Sequence, residues 1–141
     1  MTLIDTHSHI YYTDYSDRID DVIQSARDVG VEKIISVGVD LATSEECINL
    51  AEKYSSVYAT CGYHPHEAMK APKRYLYELE QLYEHPKVVA VGEIGLDYHY
   101  NFSKPNDQKR VFCEQLEMAN GIGLPTIVHC RNSDDDLISC I

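Results

Sequence analysis

The sequence predicts an α/β fold built on a parallel sheet, and three observations carry that expectation. Short β-branched runs near residues 2–5, 33–39, 57–62, 88–94 and 125–130 alternate with helical patterns. The runs Ile34-Ile35-Ser36-Val37 and Val88-Val89-Ala90-Val91 are almost continuously apolar, as strands covered on both faces are. The connections between runs and helices are short, which suits right-handed βαβ units.

Taken in order, Leu3-Ile4 opens the first strand and Asp5-Thr6-His7-Ser8-His9 follows directly. Ile19, Val22, Ile23 and Ala26 recur at helical spacing, so a first helix follows, with Gly30 capping its end. Thr43-Ser44-Glu45-Glu46 reads as a capping box that opens a second helix. Leu76, Leu79, Leu82 and Tyr83 stripe a third. Pro105 starts a fourth helix that carries Phe112, Leu116 and Ala119 and stops at Asn120-Gly121. Ser133-Asp134-Asp135-Asp136 opens a fifth, expected to be a single turn. Five βα units cannot close an eight-stranded barrel of ~250 residues. The sheet is therefore either open or the first part of a longer barrel.

Residues 1–141 are enough for one domain with a substantial core, and 44% hydrophobic with 25% charged residues is ordinary for a globular protein. No apolar run approaches the ~18–20 residues that cross a bilayer, and no charged-then-apolar leader precedes Asp5. No membrane partner and a cytoplasmic location are the expectations. The five scattered cysteines, odd in number and without a Cys-x-x-Cys pair, point to reduced thiols. A net charge of −11 argues against gripping a long nucleic acid by its backbone, which needs Lys and Arg. It leaves room for an enzyme acting on a phosphate ester at a metal, where cations supply the positive charge. Much of the acidic excess is explained by solvated helix faces such as Asp17-Arg18-Ile19-Asp20-Asp21.

The chemistry collects at strand ends. Residues i and i+2 of an extended segment point the same way, so His7 and His9 can direct two imidazoles at one point. Imidazole is a common ligand of divalent metals. His-x-His pairs also occur on ordinary loops, so the pair needs company. Glu93 and His129 sit at the ends of two further apolar runs, and a carboxylate there is costly unless paired or bound to a cation. His64, held extended by Pro65, falls at the end of the third run. In parallel α/β sheets, catalytic groups gather at the carboxyl ends of the strands, where His7, His9, His64, Glu93, Asp97 and His129 all fall. Asp97 is read as an acid that orients a ligand imidazole, with a turn residue as the plain alternative. Arg131, beside His129, looks like a second buried polar group. His66 is read as a loop residue or an outer support of the site, and His85 as an inert residue on the opposite face. His99 lies among Tyr98, Tyr100 and Phe102, an aromatic group expected to pack as a lid, with base stacking as the alternative.

Four motifs, Ile4-Asp5-Thr6-His7-Ser8-His9, Gly62-Tyr63-His64-Pro65-His66, Gly92-Glu93-Ile94-Gly95-Leu96-Asp97-Tyr98 and Val128-His129-Cys130-Arg131, resemble the successive signatures of the TatD family. That resemblance implies the first five βα units of an unclosed (β/α)8 TIM barrel related to amidohydrolases. It implies a metal-dependent deoxyribonuclease or phosphodiesterase with two divalent cations (Zn, Mg or Mn), acting on DNA ends or another phosphodiester. His7 and His9 would hold one metal, Glu93 would bridge both, and His129 would hold the second. His64 would lie near the scissile phosphate, so Glu93 and His64 are the catalytic candidates, and His64 and Arg131 the substrate-binding ones. The family pattern continues with a further His and a late Asp beyond Ile141. A chain made without them is expected to hydrolyse slowly and to self-associate through its open side. The same metal cage also serves hydrolases of small amides, lactones or esters, and an inactive metal-binding fragment is the non-enzymatic alternative.

Overall fold

A computed structural model describes residues 2–12, 15–100 and 102–141. Among these, the strands β1 (Leu3–Ser8), β2 (Val31–Val37), β3 (Val57–Cys61), β4 (Val88–Asp97) and β5 (Thr126–Arg131) form one sheet. Its order is β1-β2-β3-β4-β5, and every pairing is parallel. The helices between and after them are α1 (Ile19–Asp28), α2 (Leu41–Lys53), α3 (Tyr75–Tyr83), α4 (Pro105–Ile122) and α5 (Asp134–Cys140). A short 3-10 segment, Pro65–Lys70, follows β3.

The strictly sequential order separates the two readings of the sequence. Doubly wound sheets reverse direction part-way, whereas a barrel winds each new strand onto the same side of the last. The protein is an open half-barrel of the TIM type. β4, the longest strand, is buried along almost its whole length, as a strand flanked on both sides should be. β1 and β5 pair on one side only, and Leu3, Ile4 and Val128 stay exposed there. One apolar cluster packs Ile34, Val57 and Ala59 of the sheet against Leu50 of α2 and Leu79 of α3. A second sets Val91, Ile94 and Leu96 against Phe112 and Ala119 of α4 and Leu137 of α5. No helix among the described residues is long and apolar enough to cross a membrane. All five cysteines are free thiols.

Several boundaries differ from the sequence expectation. The capping box sits earlier, with Asp40 as the N-cap accepting from the Thr43 N–H at 2.8 Å, and Thr43 occupying the third helical position. Asp40 is the better cap because its carboxylate faces the helix N-terminus. α4 runs past Asn120-Gly121 to Ile122 and stops at Gly123, which adopts φ 73° while the Leu124 N–H returns to the Ala119 carbonyl. That left-handed residue ends a helix where a glycine alone does not. α5 is longer than one turn, because Leu137 is buried and Asp136 accepts from the Tyr98 hydroxyl at 2.7 Å and from Lys109 at 3.1 Å. β1 extends to Ser8, whose hydroxyl donates to the Ile35 carbonyl, so His7 lies inside the strand.

Gly95 sets how closely β4 approaches β5. Its φ is +142°, and a Cβ there would collide with the His129 carbonyl. Gly121, inside α4, has open space where an alanine methyl would stand, with no neighbouring atom within 4 Å. Gly95→Ala is expected to cost at least about 2 kcal/mol in strain and displaced backbone. Gly121→Ala is expected to stabilise by about 0.5–1 kcal/mol, the usual gain in a helix interior. Chemical denaturation of the two variants against wild type checks the opposite signs.

Candidate metal centre

β1 and the residue just after it, the segment after β3, and β5 bring their imidazoles to one carboxylate, Glu93, within β4. Glu93 Oε2 lies 3.4 Å from His7 Nε2 and 3.9 Å from His9 Nε2. Its other oxygen, Oε1, lies 3.1 Å from His129 Nδ1 and 3.9 Å from His64 Nε2. These atoms fall into two groups, His7-His9-Glu93 and His64-Glu93-His129, each compact enough to hold a metal ion. They face a cavity of about 410 Å³ that His66, Tyr12, Val39 and Glu67 also line.

Hydrogen bonds to the far side of each ring set what the near side can do. His9 Nδ1 lies 2.9 Å from the Val37 carbonyl, which can only accept, so Nδ1 carries the proton and Nε2 keeps its lone pair toward Glu93. The Tyr11 hydroxyl at 3.0 Å steadies the same nitrogen. That is the tautomer a metal ligand needs. His64 has the reverse arrangement. Its Nδ1 accepts the His66 N–H at 3.2 Å, so its proton sits on Nε2, aimed at the cavity as a donor. Burial pushes the His64 ring down to about 4, so it stays neutral near neutral pH. Burial also lowers His9, against the pull of the Val37 carbonyl.

His129 lies between two carboxylates, with Nδ1 3.1 Å from Glu93 and Nε2 3.0 Å from Asp97 Oδ2. The Glu93 hydrogen bond, opposed by burial and aided by Asp97, raises its pKa. Burial of Asp97 works to raise its own pKa. The Tyr100 N–H, the His66 and His129 rings and the His99 N–H outweigh it and hold the carboxyl well below the usual range. Glu93 is likewise held low: burial raises it, and the His129 hydrogen bond with the neighbouring imidazoles more than offsets that.

Two buried glutamines on one face of α4 carry much of this placement. Gln108 accepts the Asp97 N–H at 2.8 Å and donates to the Asp97 carbonyl at 2.9 Å, clamping the end of β4. Gln115, seven residues on, accepts the Tyr63 N–H at 2.7 Å and donates to its carbonyl at 3.1 Å, clamping the residue before His64. Neither residue was legible as part of the site, since a Gln inside a helical stripe reads as an exposed position.

The family profile described as TatD related DNase matches residues 4–141. The chain belongs to the TatD family. It is 37% identical over 139 residues to an uncharacterized metal-dependent hydrolase, YabD, of Bacillus subtilis, covering 99% of this chain and 54% of that protein. It is 36% identical over 122 residues to the 3'-5' ssDNA/RNA exonuclease TatD of Escherichia coli, covering 86% of this chain and 47% of that one. The crystal structure of YjjV, a TatD homologue from Escherichia coli, superposes with a TM-score of 0.90 at 36% identity, covering 97% of this chain and 54% of that one. The chain thus spans about half the length of the curated relatives it matches.

Of the residues that the TatD motifs single out, His7, His9, His64, Glu93 and His129 meet at the cavity, with Asp97 directly behind His129. Arg131 departs from expectation. It is exposed, is absent from the cavity lining, and lays its guanidinium 4.9 Å from the centre of the Tyr100 ring. The last residue of an edge strand faces solvent, so an apolar run before it does not imply burial. His66, read from the sequence as a loop residue or an outer support, lies in the short helix after β3, lines the cavity and sets its Nε2 2.9 Å from Asp97 Oδ2. His85 pairs with Glu52 at 3.4 Å ahead of β4, away from the cavity.

Because the Asp97 pKa is lower folded than unfolded, its stabilisation is complete above the unfolded value near ~4 and fades as pH falls toward the folded value. Asp97→Asn is expected to cost about 1–3 kcal/mol near neutral pH. The deficit should shrink in denaturant titrations run below about pH 3. A deficit that stays constant with pH would assign it to packing and not to charge.

Proposed function

We propose that residues 1–141 form part of a single metal-dependent hydrolase domain that cleaves phosphodiesters at single-stranded nucleic-acid ends. The observation that carries this reading is the division of labour on Glu93. One oxygen faces His7 and His9, the other faces His64 and His129, which suits a carboxylate shared by two cations. The donor set fits: neutral imidazole nitrogens favour Zn, while the carboxylate admits Mn or Mg. His7, His9 and Glu93 would hold one cation, and Glu93 with His129 the second. Cations bound there would activate water and stabilise the oxygens of an in-line displacement at phosphorus.

The chain's own residues supply the rest. His64 offers its Nε2–H to a phosphate oxygen, and its neutrality keeps that proton in place near neutral pH. Val37 and Tyr11 hold His9 in the ligating tautomer. Asp97 orients His129, which must release a proton before it can serve as a ligand. The relatives named as exonucleases of single-stranded DNA and RNA support this substrate class. The exposed edges at β1 and β5 support self-association of the chain.

Calorimetric titration with Mn²⁺ or Zn²⁺ tests the site. Glu93→Gln is expected to weaken binding by well over tenfold while the far-UV spectrum is kept, and to abolish any hydrolysis of an oligonucleotide. Unchanged metal affinity would remove the shared-carboxylate assignment, and turnover of an amide in preference to a phosphodiester would shift the substrate class. Sedimentation is expected to show dimers or larger species; a monodisperse monomer would rule out association through the open edges.

A further inference from the structure

Beside the metal centre, two large aromatic rings face solvent. Tyr100 is 41% exposed and Phe102 is 59% exposed, and the two stack with centroids 5.4 Å apart and planes 27° apart. Arg131 adds its guanidinium over Tyr100, at 4.9 Å. Large apolar rings left in water lose the stabilisation that burial would bring, so their exposure calls for an occupant.

Hydrogen bonds fix the backbone at Tyr100 and at Ser103, next to Phe102. Asp97 Oδ1 accepts the N–H groups of His99 and Tyr100 at 3.0 and 3.1 Å. Beyond Phe102, the Ser103 hydroxyl donates to the His66 carbonyl at 2.9 Å, and the Ser103 carbonyl accepts from Gln108 at 2.9 Å. Anchors at Tyr100 and at Ser103, next to Phe102, favour a defined place for the rings, which lowers the ordering cost of binding. The rings also adjoin the site. His66, which lines the cavity, meets Phe102 edge-on at 4.9 Å and Tyr100 at 5.6 Å. The carboxylate that anchors Tyr100 is the one that orients His129.

We propose that Tyr100 and Phe102 form a platform on which the terminal base of a single-stranded nucleic acid stacks, with Arg131 beside it for the adjoining phosphate. This rests on the phosphodiesterase reading above and names how its substrate is held. The charge balance of the chain is in keeping with it. A chain of net charge −11 gains little from a polyanion through long-range attraction, so a contact that does not depend on charge adds to what bound cations and Arg131 would supply locally. Base–aromatic stacking is such a contact, and it accepts any base. A base inside a duplex is already stacked on its neighbours, so the platform selects unpaired ends.

Fluorescence anisotropy of the 141-residue chain in saturating Mn²⁺ tests this, with two phosphorothioate-protected single strands that differ only in whether the terminal residue carries a base or is abasic. Wild type is expected to hold the base-bearing strand about tenfold tighter, the worth of one stacked base. Tyr100→Ala combined with Phe102→Ala is expected to bring that ratio to about one while Mn²⁺ affinity stays the same, and Phe102→Trp to keep or raise it. Equal binding of both strands by wild type, or an unchanged ratio in the double variant, would overturn the platform and leave the phosphodiester reading standing. Metal-dependent binding of neither strand would overturn both.

Discussion

A buried carboxylate that stays ionised is the constraint around which this protein is arranged. Glu93 lies inside β4 with only 8% of its surface exposed, where an unpaired charge would cost several kcal/mol. Imidazoles from β1, the β3 loop and β5 surround it at 3.1–3.9 Å. That company is available only because all the strands are parallel and send their carboxyl ends to one side. β1 and β4 are not neighbours in the sheet, so His7 and His9 reach Glu93 across its curved inner face. The sheet's geometry and the site's electrostatics are one requirement seen at two scales.

Helix α4 imposes a second constraint from outside the sheet. Its apolar residues Phe112 and Ala119 bury against β4, and that packing sets the helix's distance from the sheet. Gln108 and Gln115 then meet the backbone N–H and carbonyl groups of Asp97 and Tyr63. Buried polar groups left unsatisfied cost about 1–3 kcal/mol each. The glutamines therefore stabilise the fold and hold two site-bearing segments in register with each other. Stability and site geometry are carried by the same bonds.

Electrostatics divides the molecule. The surface is acidic, while the inward-facing rings of His7, His9, His64 and His129 form a pocket of nitrogen donors around Glu93. The proposed metal site would reconcile the two: cations held there would bring the positive charge that the chain itself lacks. Next to that pocket, an anchored pair of exposed aromatic rings offers a contact indifferent to net charge.

The alternation of strands and helices, the placement of His7, His9, Glu93 and His129 along or just after the apolar runs, and the extended backbone at His64 were all legible in the sequence, though β4 runs on to Asp97 and leaves Glu93 inside the strand. Each depends on local rules: the period of side chains along a strand, the apolar run, and the steric effect of Pro65. The roles of individual groups were not local. His9 keeps a free lone pair on Nε2 and His64 a proton there because of the Val37 carbonyl and the His66 N–H. Gln115 meets Tyr63 across 52 residues of chain, and His129 meets Asp97 across 32. Arg131 looked buried from its neighbours and is exposed because its strand lies at an edge. Periodicity tells which face a residue occupies, but proton position, orientation and exposure depend on partners that only the folded chain brings within about 3 Å.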